Sequence, residues 1–324
     1  MRPASEIMGG KEPVDAPRDL PMLREVLTGL RVTPKRLPCK YLYDTRGSQL
    51  FEAITRQPEY YPTQAEIEIL TARAPALARR VGAEVTLIEF GGGASDKSGL
   101  LLRALRAPSA FYALDIDAHA VERGLKQVLT HAPGVRAAGF CCDFTALERL
   151  PAEIPGMRRL GYFAGSTIGN FEPPAACDLL RAFRRSLGDG SHLLVGVDLI
   201  KPLRQLLPAY DDAAGWTAAF NLNLLERLNR ELGANFDAGQ FRHEVRYDDA
   251  RARIEMHLVS GRTQCVRIAD EPVRFCAGES IHTESSHKYS TCEFQMLARA
   301  AGWEPEAIWF DARRLFSLHL LAAA

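Results

Sequence analysis

The segment Glu89–Lys97 combines an acidic residue, closely spaced glycines and a helix start, a combination that could bind a nucleotide-like cofactor. It continues an apolar run that predicts a buried parallel strand. Gly91, Gly92 and Gly93 allow the backbone to turn sharply and to approach a ligand without a Cβ clash. The order of strand, glycine turn and helix predicts the first βα turn of a doubly wound sheet, where such cofactors bind, although a purely structural turn remains the alternative.

The chemistry of this turn favours a cofactor that carries no phosphate. The dinucleotide fingerprint requires a small third glycine or alanine where this chain has Asp96, and the charge of Asp96 would repel a pyrophosphate. Glu89, Gly91 and Gly93 form instead an acid-x-Gly-x-Gly pattern that suits S-adenosylmethionine (SAM). The turn therefore predicts SAM rather than a nicotinamide dinucleotide.

Acidic residues also end the next two apolar runs. Asp115 stands 24 positions after Gly91, where an acid can accept hydrogen bonds from ribose hydroxyls. The alternative is that Asp115 or Asp117 caps the following helix. Asp143 and Phe144 follow the third run, and an acid beside an aromatic ring could hydrogen-bond to an adenine and stack on it.

Alternating strand and helix patterns between Val85 and Leu199 place these residues in one α/β sheet. Leu199 is followed by an amphipathic helix and by period-2 segments within 241–286, which predict antiparallel strands and a second structural unit. A helix at 290–301 and two strands within 304–321 return to the first pattern. We expect these two strands to pair antiparallel and to close the sheet.

Two aromatic segments precede the sheet. Tyr43 lies in a loop at 37–47, and Tyr60 lies between two prolines at 58–62, where a helix cannot continue. The two adjacent tyrosines between the prolines, Tyr60 and Tyr61, are consistent with packing of a surface loop and equally with a lid over a pocket. Directly afterwards, Thr63–Glu66 has the form of a capping box and predicts that the next helix begins there.

The composition is that of an ordinary soluble globular chain. Its 324 residues carry 40 basic and 40 acidic side chains, so charge gives no reason to expect nucleic acid or an anionic membrane as partner. No apolar run reaches about 18 residues, so no transmembrane helix is expected. Seven cysteines without a Cys-x-x-Cys pair indicate reduced thiols and a cytoplasmic location. The spacing of His282, His287 and Cys292 matches no zinc pattern, so no metal is expected, and the lack of a coiled-coil pattern favours a monomer.

Seven motifs distributed from about residue 20 to the C-terminus resemble one known family. They are Tyr-Leu-Tyr-Asp (41–44), Pro-Glu-Tyr-Tyr-Pro-Thr (58–63), Glu-Phe-Gly-Gly-Gly-Ala-Ser-Asp-Lys (89–97), Gly-Ser-Thr-Ile-Gly-Asn (165–170), Tyr-Asp-Asp-Ala-Ala-Gly (210–215), Arg-Ile-Glu-Met (253–256) and Thr-Glu-Ser-Ser-His-Lys-Tyr (283–289). They resemble the histidine-specific SAM-dependent methyltransferases, in particular the L-histidine Nα-methyltransferases of ergothioneine biosynthesis. Phe90 and Gly92 stand where a leucine and a serine are expected, and these differences do not threaten cofactor binding.

This resemblance implies a fold and a reaction. The fold would be an α/β, Rossmann-like SAM methyltransferase domain, a doubly wound sheet with an antiparallel C-terminal strand pair, and a second α+β substrate-recognition domain. The methyltransferase domain would comprise residues 65–198 and 289–324, the recognition domain residues 20–64 and 199–288, and residues 1–19 would be a flexible tail. The reaction would be three successive methylations of the α-amine of L-histidine by SAM, giving hercynine (Nα,Nα,Nα-trimethyl-L-histidine).

The resemblance also implies site residues. The residues that hold the cofactor would be Gly91, Lys97, Asp115, Asp143 and Phe144, with Lys97 meeting the carboxylate of SAM. The residues that line the histidine site would be Tyr60, Gly165, Asn170, Tyr210, Met256, Glu284 and Ser286. Tyr60 and Tyr43 are the candidates for catalysis, because a phenol can accept a hydrogen bond or a proton from the amine.

The chemistry of these side chains agrees with histidine methylation. A tyrosine with a pKa of about 10 is a poor base at neutral pH, so we expect Tyr60 first to position the amine, with proton transfer through water or a transient phenolate second. Glu284 and Ser286 share one face of a strand, and a carboxylate with a hydroxyl matches the donor and acceptor nitrogens of a neutral imidazole. On its own, however, Glu284 could be a solvated strand residue, and Met256 a core residue.

Other interpretations remain open on the sequence. Asn170 and Tyr210 could hold the substrate carboxylate, or could serve as a helix cap and as loop packing. The alternative reaction is N-methylation of another amino acid, for example one with an indole ring, and the pair of Glu284 and Ser286 argues against it. A non-catalytic metabolite-binding protein and a nicotinamide dehydrogenase are the remaining hypotheses.

Overall fold

Strands and helices alternate over most of the chain. The structure, a computed structural model, describes residues 6–7, 20–91, 96–147, 149–154 and 158–323. Within these ranges it contains fourteen strands and nine α-helices. The strands are β1 (Glu6–Ile7), β2 (Lys35–Arg36), β3 (Thr86–Phe90), β4 (Ala110–Asp115), β5 (Ala137–Cys141), β6 (Arg159–Phe163), β7 (His192–Asp198), β8 (Phe241–Asp248), β9 (Arg253–Ser260), β10 (Gln264–Ile268), β11 (Glu271–Phe275), β12 (Ser280–His287), β13 (Trp303–Phe310) and β14 (Phe316–Ala323). The helices are α1 (Leu20–Arg31), α2 (Thr45–Thr55), α3 (Tyr61–Val81), α4 (Asp96–Ala104), α5 (Ala118–His131), α6 (Pro173–Leu187), α7 (Leu203–Leu206), α8 (Trp216–Leu232) and α9 (Thr291–Ala300).

The chain divides into two compact units. The first unit comprises β1, Tyr61–Ile200 and His287–Ala324, and the second unit comprises the described part of Gly10–Tyr60 and Lys201–Ser286. The domain boundaries expected from the sequence, 65–198 with 289–324 and 20–64 with 199–288, stay a prediction. The roles assigned to the two units, cofactor binding and substrate recognition, stay predictions.

The first unit is built on an eight-stranded sheet in the order β1-β5-β4-β3-β6-β7-β14-β13. Its first six strands pair in parallel, while β14 runs antiparallel to both β7 and β13. Strand β3 is buried along its whole length, which explains why it is apolar apart from Thr86 and Glu89. The predicted doubly wound sheet with an antiparallel C-terminal pair is therefore confirmed.

Apolar side chains cover both faces of this sheet. Leu87 of β3 belongs to a core that includes Leu70 of α3, whereas the next residue, Ile88, belongs to the opposite core with Leu180 of α6 and Phe294 of α9. The alternation follows from strand geometry, in which neighbouring side chains point to opposite faces. With helices on both faces, a ligand is expected at the carboxyl ends of the parallel strands, where the strand order reverses at β3.

Helix α3 begins earlier than the sequence predicts. It starts at Tyr61, so Thr63 lies inside the helix and the expected capping box is wrong. The side chain of Glu66 does not return to the helix start, because it is fully buried and contacts other elements. A capping box does occur at α9, where Ser290 and Glu293 each accept the backbone amide of the other.

The second unit contains a four-stranded sheet, β2-β12-β9-β8, and a separate two-stranded sheet, β10-β11. Strand β8 pairs antiparallel with β9, whereas β2 pairs parallel with β12. Helix α8 buries Phe220, Leu224, Leu228 and Leu232, the residues whose spacing predicts an amphipathic helix. Strands β2 and β11 are absent from the sequence prediction.

Part of the N-terminal segment 1–19, which we expect to be a flexible tail, is described. Glu6 and Ile7 form β1 and pair with β5, and the rest of the segment lies outside the described residues. In the ranges that the structure covers, no helix combines the length and the apolar character needed to cross a bilayer.

Candidate functional site

The glycine turn begins where β3 ends. Gly91 has a φ of +77°, and its amide donates to the carbonyl of Leu114 at 2.8 Å. A Cβ at this position would lie 3.5 Å from Cε1 of Phe144, and its backbone conformation disfavours any residue with a side chain. The backbone therefore requires glycine here. The remainder of the predicted turn, residues 92–95, lies outside the described residues.

Asp115 is held at the end of β4, the strand that pairs with β3. Its Oδ1 accepts the amide of Asp117 at 2.9 Å, whereas Asp117 itself caps α5 by accepting the amide of His119 at 3.0 Å. Because Asp117 supplies the cap, Asp115 is not needed for that role. Burial raises the pKa of Asp115 to about 6, since a carboxylate removed from water is disfavoured.

Asp143 and Phe144 follow β5, the next strand of the sheet. Asp143 accepts the amide of Thr145 at 2.9 Å and so caps a short 3₁₀ turn, Phe144–Ala146. The ring of Phe144 meets that of Phe163 edge to face, with the ring centroids 5.7 Å apart. Since Phe144 also lies beside Gly91, an aromatic ring adjoins the glycine turn.

Glu66, which the sequence interpretation assigned to a helix cap, joins three elements of the first unit. Its Oε2 accepts hydrogen bonds from the ammonium of Lys97 at 2.6 Å and from the amide of Gly165 at 2.9 Å. Its Oε1 accepts a hydrogen bond from the hydroxyl of Tyr162 at 3.0 Å. Lys97, the residue predicted to meet the cofactor carboxylate, is thus paired with a buried acid. One signal for this role is present in the sequence, because Glu66 lies in helical register with Leu70 on the apolar face of α3.

A left-handed turn follows β6. Gly165 and Ser166 have φ values of +70° and +60°, and Oγ of Ser166 accepts the amide of Asp198 at 2.9 Å. The chain then enters a 3₁₀ helix, Thr167–Asn170. Gly165 and Asn170 consequently lie beyond the carboxyl end of β6, where a parallel sheet of this kind binds ligands.

In the second unit, the carboxylate of Glu284 on β12 contacts Tyr43. The hydroxyl of Tyr43 donates to Oε1 of Glu284 at 3.3 Å. Glu284 is 8% exposed, so it is a buried acid rather than a solvated strand residue. Burial and the charge of Glu284 raise the pKa of Tyr43 well above the ordinary value for tyrosine.

A second polar contact lies two residues further along the same strand. The hydroxyl of Tyr210 donates to Oγ of Ser286 at 2.7 Å, and both side chains are buried. The carbonyl oxygen of Tyr210 is 2.9 Å from Nε2 of His243, which fixes the backbone that carries the tyrosine. These contacts make Tyr210 part of a built polar cluster and not loop packing alone.

Tyr60 and Met256 are buried in the same unit. The ring of Tyr60 meets Phe51 edge to face at 5.9 Å between centroids, and Phe51 meets Tyr43 at 5.8 Å. Phe51 is therefore an aromatic neighbour that the sequence interpretation missed. The carbonyl of Met256 accepts the hydroxyl of Thr283 at 3.0 Å, which ties β9 to the strand that carries Glu284.

The residues predicted from the sequence fall into two groups. The first unit contains Gly91, Lys97, Asp115, Asp143, Phe144, Gly165 and Asn170. The second unit contains Tyr43, Tyr60, Tyr210, Met256, Glu284 and Ser286. The cofactor residues are thus all in the first unit, and the tyrosines and the polar pair of β12 are all in the second.

Metal ligands are a separate question. Among the residues that the structure describes, no group of three or more His, Cys, Asp or Glu side chains is arranged to hold a metal ion. Nε2 of His282 contacts Oγ of Ser285 at 3.0 Å, and Nε2 of His287 lies 3.6 Å from Oε2 of Glu172. Independence from metal stays a prediction.

The sheet and the residues at its carboxyl edge define a class of protein. The edge fits a nucleoside cofactor that has a charged amino-acid end and no phosphate: Gly91 leaves open the space beside Phe144, and Asp115 suits a ribose diol. The ammonium of Lys97 suits a carboxylate. SAM has an adenine, a ribose diol and a carboxylate and has no phosphate. The class of protein is therefore that of the SAM-dependent methyltransferases.

Comparison with known proteins places the chain within this class. It belongs to the histidine-specific, SAM-dependent methyltransferase family, whose family model matches residues 22–323. It is 43% identical over 309 residues to a histidine N-alpha-methyltransferase of Mycobacterium tuberculosis, covering 94% of this chain and 95% of that protein. It is also 35% identical over 297 residues to ergothioneine biosynthesis protein 1 of Neurospora crassa, covering 89% of this chain and 33% of that protein. A 4-dimethylallyltryptophan N-methyltransferase of Epichloe festucae var. lolii is 28% identical over 310 residues, covering 88% of this chain and 90% of that protein.

Proposed function

We propose that this enzyme transfers three methyl groups from SAM to the α-amine of L-histidine, and that its product, hercynine, serves ergothioneine biosynthesis. The observation that carries the choice of substrate is the buried pair on β12, in which Glu284 contacts Tyr43 and Ser286 contacts Tyr210. Their chemistry matches an imidazole, and membership of the histidine-specific family supports the same substrate.

The polar pair selects the ring of histidine by hydrogen bonding. A neutral imidazole has one N–H donor and one acceptor nitrogen. The carboxylate of Glu284 accepts the N–H, and a carboxylate has enough lone pairs to accept from Tyr43 as well. The hydroxyl of Ser286 donates to the other nitrogen. An indole or an apolar ring of similar size would leave one or both groups of this pair unsatisfied, and buried unsatisfied groups are what make such sites selective.

The two tyrosines have different roles. SAM supplies an electrophilic methyl group, and the amine of histidine must be neutral to act as a nucleophile. Tyr43 donates to Glu284 and has a raised pKa, so we assign it to orienting Glu284 and not to proton acceptance. Tyr60 is assigned to positioning the amine, with the proton leaving through water or a transient phenolate. As methyl groups accumulate, the amine becomes a permanent cation, and tyrosine faces attract such cations by roughly 0.5–2 kcal/mol.

The other assigned residues complete the two binding roles. For the cofactor, Asp115 accepts the ribose hydroxyls, Asp143 and Phe144 hold the adenine beside Gly91, and Lys97 binds the carboxylate. For histidine, we assign its carboxylate to Asn170 and Tyr210 and leave Gly165 and Met256 as lining residues. We further propose a cytoplasmic monomer that needs no metal and binds neither nucleic acid nor membrane, which light scattering and activity in the presence of a chelator would test.

The test is a product assay followed by mass spectrometry. Purified protein is incubated with SAM and one candidate substrate in each of three reactions. The substrates are L-histidine, L-tryptophan and histamine, which lacks the carboxylate. Histidine should gain three methyl groups, and the other two compounds should gain none at the same enzyme concentration. Methylation that stops at one or two groups would contradict the trimethylated product. Preferred methylation of tryptophan would contradict the substrate.

A further inference from the structure

The buried carboxylate of Glu66 connects one residue assigned to the cofactor with one assigned to the substrate. Oε2 of Glu66 accepts from Nζ of Lys97 and from the amide of Gly165, while Oε1 accepts from the hydroxyl of Tyr162. The side chain of Glu66 is fully buried, and the side chain of Lys97 is 11% exposed. These three contacts link α3 to α4, to β6 and to the turn that follows β6.

The neighbouring strand leaves room for this carboxylate. On β7, a Cβ at Gly196 would lie 2.5 Å from Oε1 of Glu66, a distance that non-bonded atoms do not adopt. A side chain at Gly196 would therefore clash with the carboxylate of Glu66 and with the ring of Phe316. The position on α3 that faces Gly196 is therefore occupied by a buried acid.

A purely structural role does not require a charge at this position. Burying an ion pair costs desolvation energy, and replacing such a pair by apolar residues is often neutral or stabilising. Glu66 and Lys97 together have no net charge, and Lys97 has the shortest contact with the acid. An ammonium held in one orientation loses less freedom when a ligand carboxylate binds, which strengthens binding.

We propose that Glu66 is a positioning residue for the cofactor, which fixes the ammonium of Lys97 and the amide of Gly165. This inference rests on the proposed function, because it takes the amino-acid end of SAM as the ligand of Lys97. Without Glu66, Lys97 lacks its buried counter-charge and turns toward water, and the turn at Gly165 loses an anchor. The adenosine end of the cofactor does not depend on this contact.

The test compares two ligands by calorimetry on the variant Glu66→Gln. S-Adenosylhomocysteine retains the amino-acid end, whereas 5′-methylthioadenosine lacks it. We expect Glu66→Gln to raise the Kd of S-adenosylhomocysteine at least tenfold and to change the Kd of 5′-methylthioadenosine by less than about twofold. The KM for histidine should rise as well, since Gly165 is anchored by the same oxygen.

Tyr162→Phe is the matched control, because it removes one contact of Glu66 and keeps the charge, Lys97 and Gly165. It should lower the melting temperature while leaving both Kd values within about twofold of the parent protein. Equal weakening of both ligands in Glu66→Gln, or equal effects of the two variants on S-adenosylhomocysteine, would overturn the positioning role. Measurements on the parent protein distinguish the two hypotheses. If the parent protein does not bind S-adenosylhomocysteine or does not methylate histidine, the proposed function is wrong. If the parent protein does both, but Glu66→Gln and Tyr162→Phe have the same Kd for S-adenosylhomocysteine, only the inference about Glu66 is wrong.

Discussion

Replacing Glu284 by alanine is the most direct perturbation of histidine recognition. The carboxylate is buried and accepts a hydrogen bond from Tyr43. In the proposed complex it also accepts the imidazole N–H of histidine, and a hydrogen bond to a charged group contributes about 1.5–3 kcal/mol. At about 1.4 kcal/mol per factor of ten, its loss should lower kcat/KM for histidine by roughly 10- to 150-fold. The Kd of S-adenosylhomocysteine should change little, because Glu284 is not among the residues assigned to the cofactor.

The assay measures kcat/KM for histidine at saturating SAM together with the Kd of S-adenosylhomocysteine. Glu271→Ala is the matched control, since Glu271 is a surface acid of the same unit, half exposed and paired with Arg31, and such pairs contribute little. Its kcat/KM should stay within about twofold of the parent value. A second readout uses β-(2-thienyl)-L-alanine, whose ring has no N–H. The parent enzyme should discriminate against it, and Glu284→Ala should lose most of that discrimination.

Two results would refute the reasoning. Histidine kinetics of Glu284→Ala within threefold of the parent enzyme would remove Glu284 from the substrate site. Unchanged discrimination against the thienyl analogue would mean that the carboxylate does not contact the ring. A stability loss of about 1–3 kcal/mol is expected in either case, because the hydroxyl of Tyr43 loses its acceptor. The melting curve therefore does not decide the question.

Three further predictions concern other residues. Tyr60→Phe should slow methylation and leave the Kd of S-adenosylhomocysteine within twofold by calorimetry; equal loss of both would make Tyr60 structural. The Kd of S-adenosylhomocysteine should rise as pH falls below about 6, approaching tenfold per unit, because burial raises the pKa of Asp115 to about 6 and its ionised form is the proposed acceptor of the ribose hydroxyls. Asp115→Asn should lose this pH dependence, and persistence of the dependence in that variant would exclude Asp115. Gly91→Ala should raise the Kd of S-adenosylhomocysteine and lower the free energy of unfolding by about 1–2 kcal/mol, because the backbone at Gly91 is left-handed. Gly190→Ala is the control, since Gly190 has a φ of +68° and open space around it, and this variant should lose stability alone. Equal effects of the two variants on the Kd would contradict a cofactor role for the turn.

The sheet of the first unit could be predicted because its physical requirements are local. A strand buried on both faces must be apolar along its length, so β3 and β7 are recognisable as continuous runs. Strand β2 escapes prediction because it has only two residues. Strand β11 escapes prediction because Pro272 is its second residue, and a proline argues against a strand. Whether such a segment becomes a strand is decided by its partner, and the partner of β2 is β12, far away in the chain.

The register of Glu66 with the apolar face of α3 could indicate that its side chain is buried, but the partners of its carboxylate could not be predicted from local spacing. A Thr-x-x-Glu sequence marks the start of a helix when the chain before the threonine is not helical. Here the helix begins two residues earlier at Tyr61, so the carboxylate faces the sheet. Its partners, Lys97 and Gly165, lie 31 and 99 residues further along the chain. Their proximity depends on how α3 packs on β6 and β7, which no local pattern specifies.

The tyrosines show how the structure adds to a distinction that chemistry alone draws from the sequence. Tyr43 and Tyr60 both lie in aromatic segments before the sheet, and either could serve a neutral amine. The structure places Tyr43 against a buried carboxylate, which accepts its proton in a hydrogen bond and raises its pKa. A phenol in that environment is ionised less at neutral pH than a free tyrosine, so almost no phenolate is present to take a proton. This agrees with the proposed role of Tyr43, which is to orient Glu284 by donating a hydrogen bond. Tyr60 remains the residue proposed to contact the amine. Tyr43→Phe should therefore lower the preference for histidine over β-(2-thienyl)-L-alanine more than it lowers kcat for histidine.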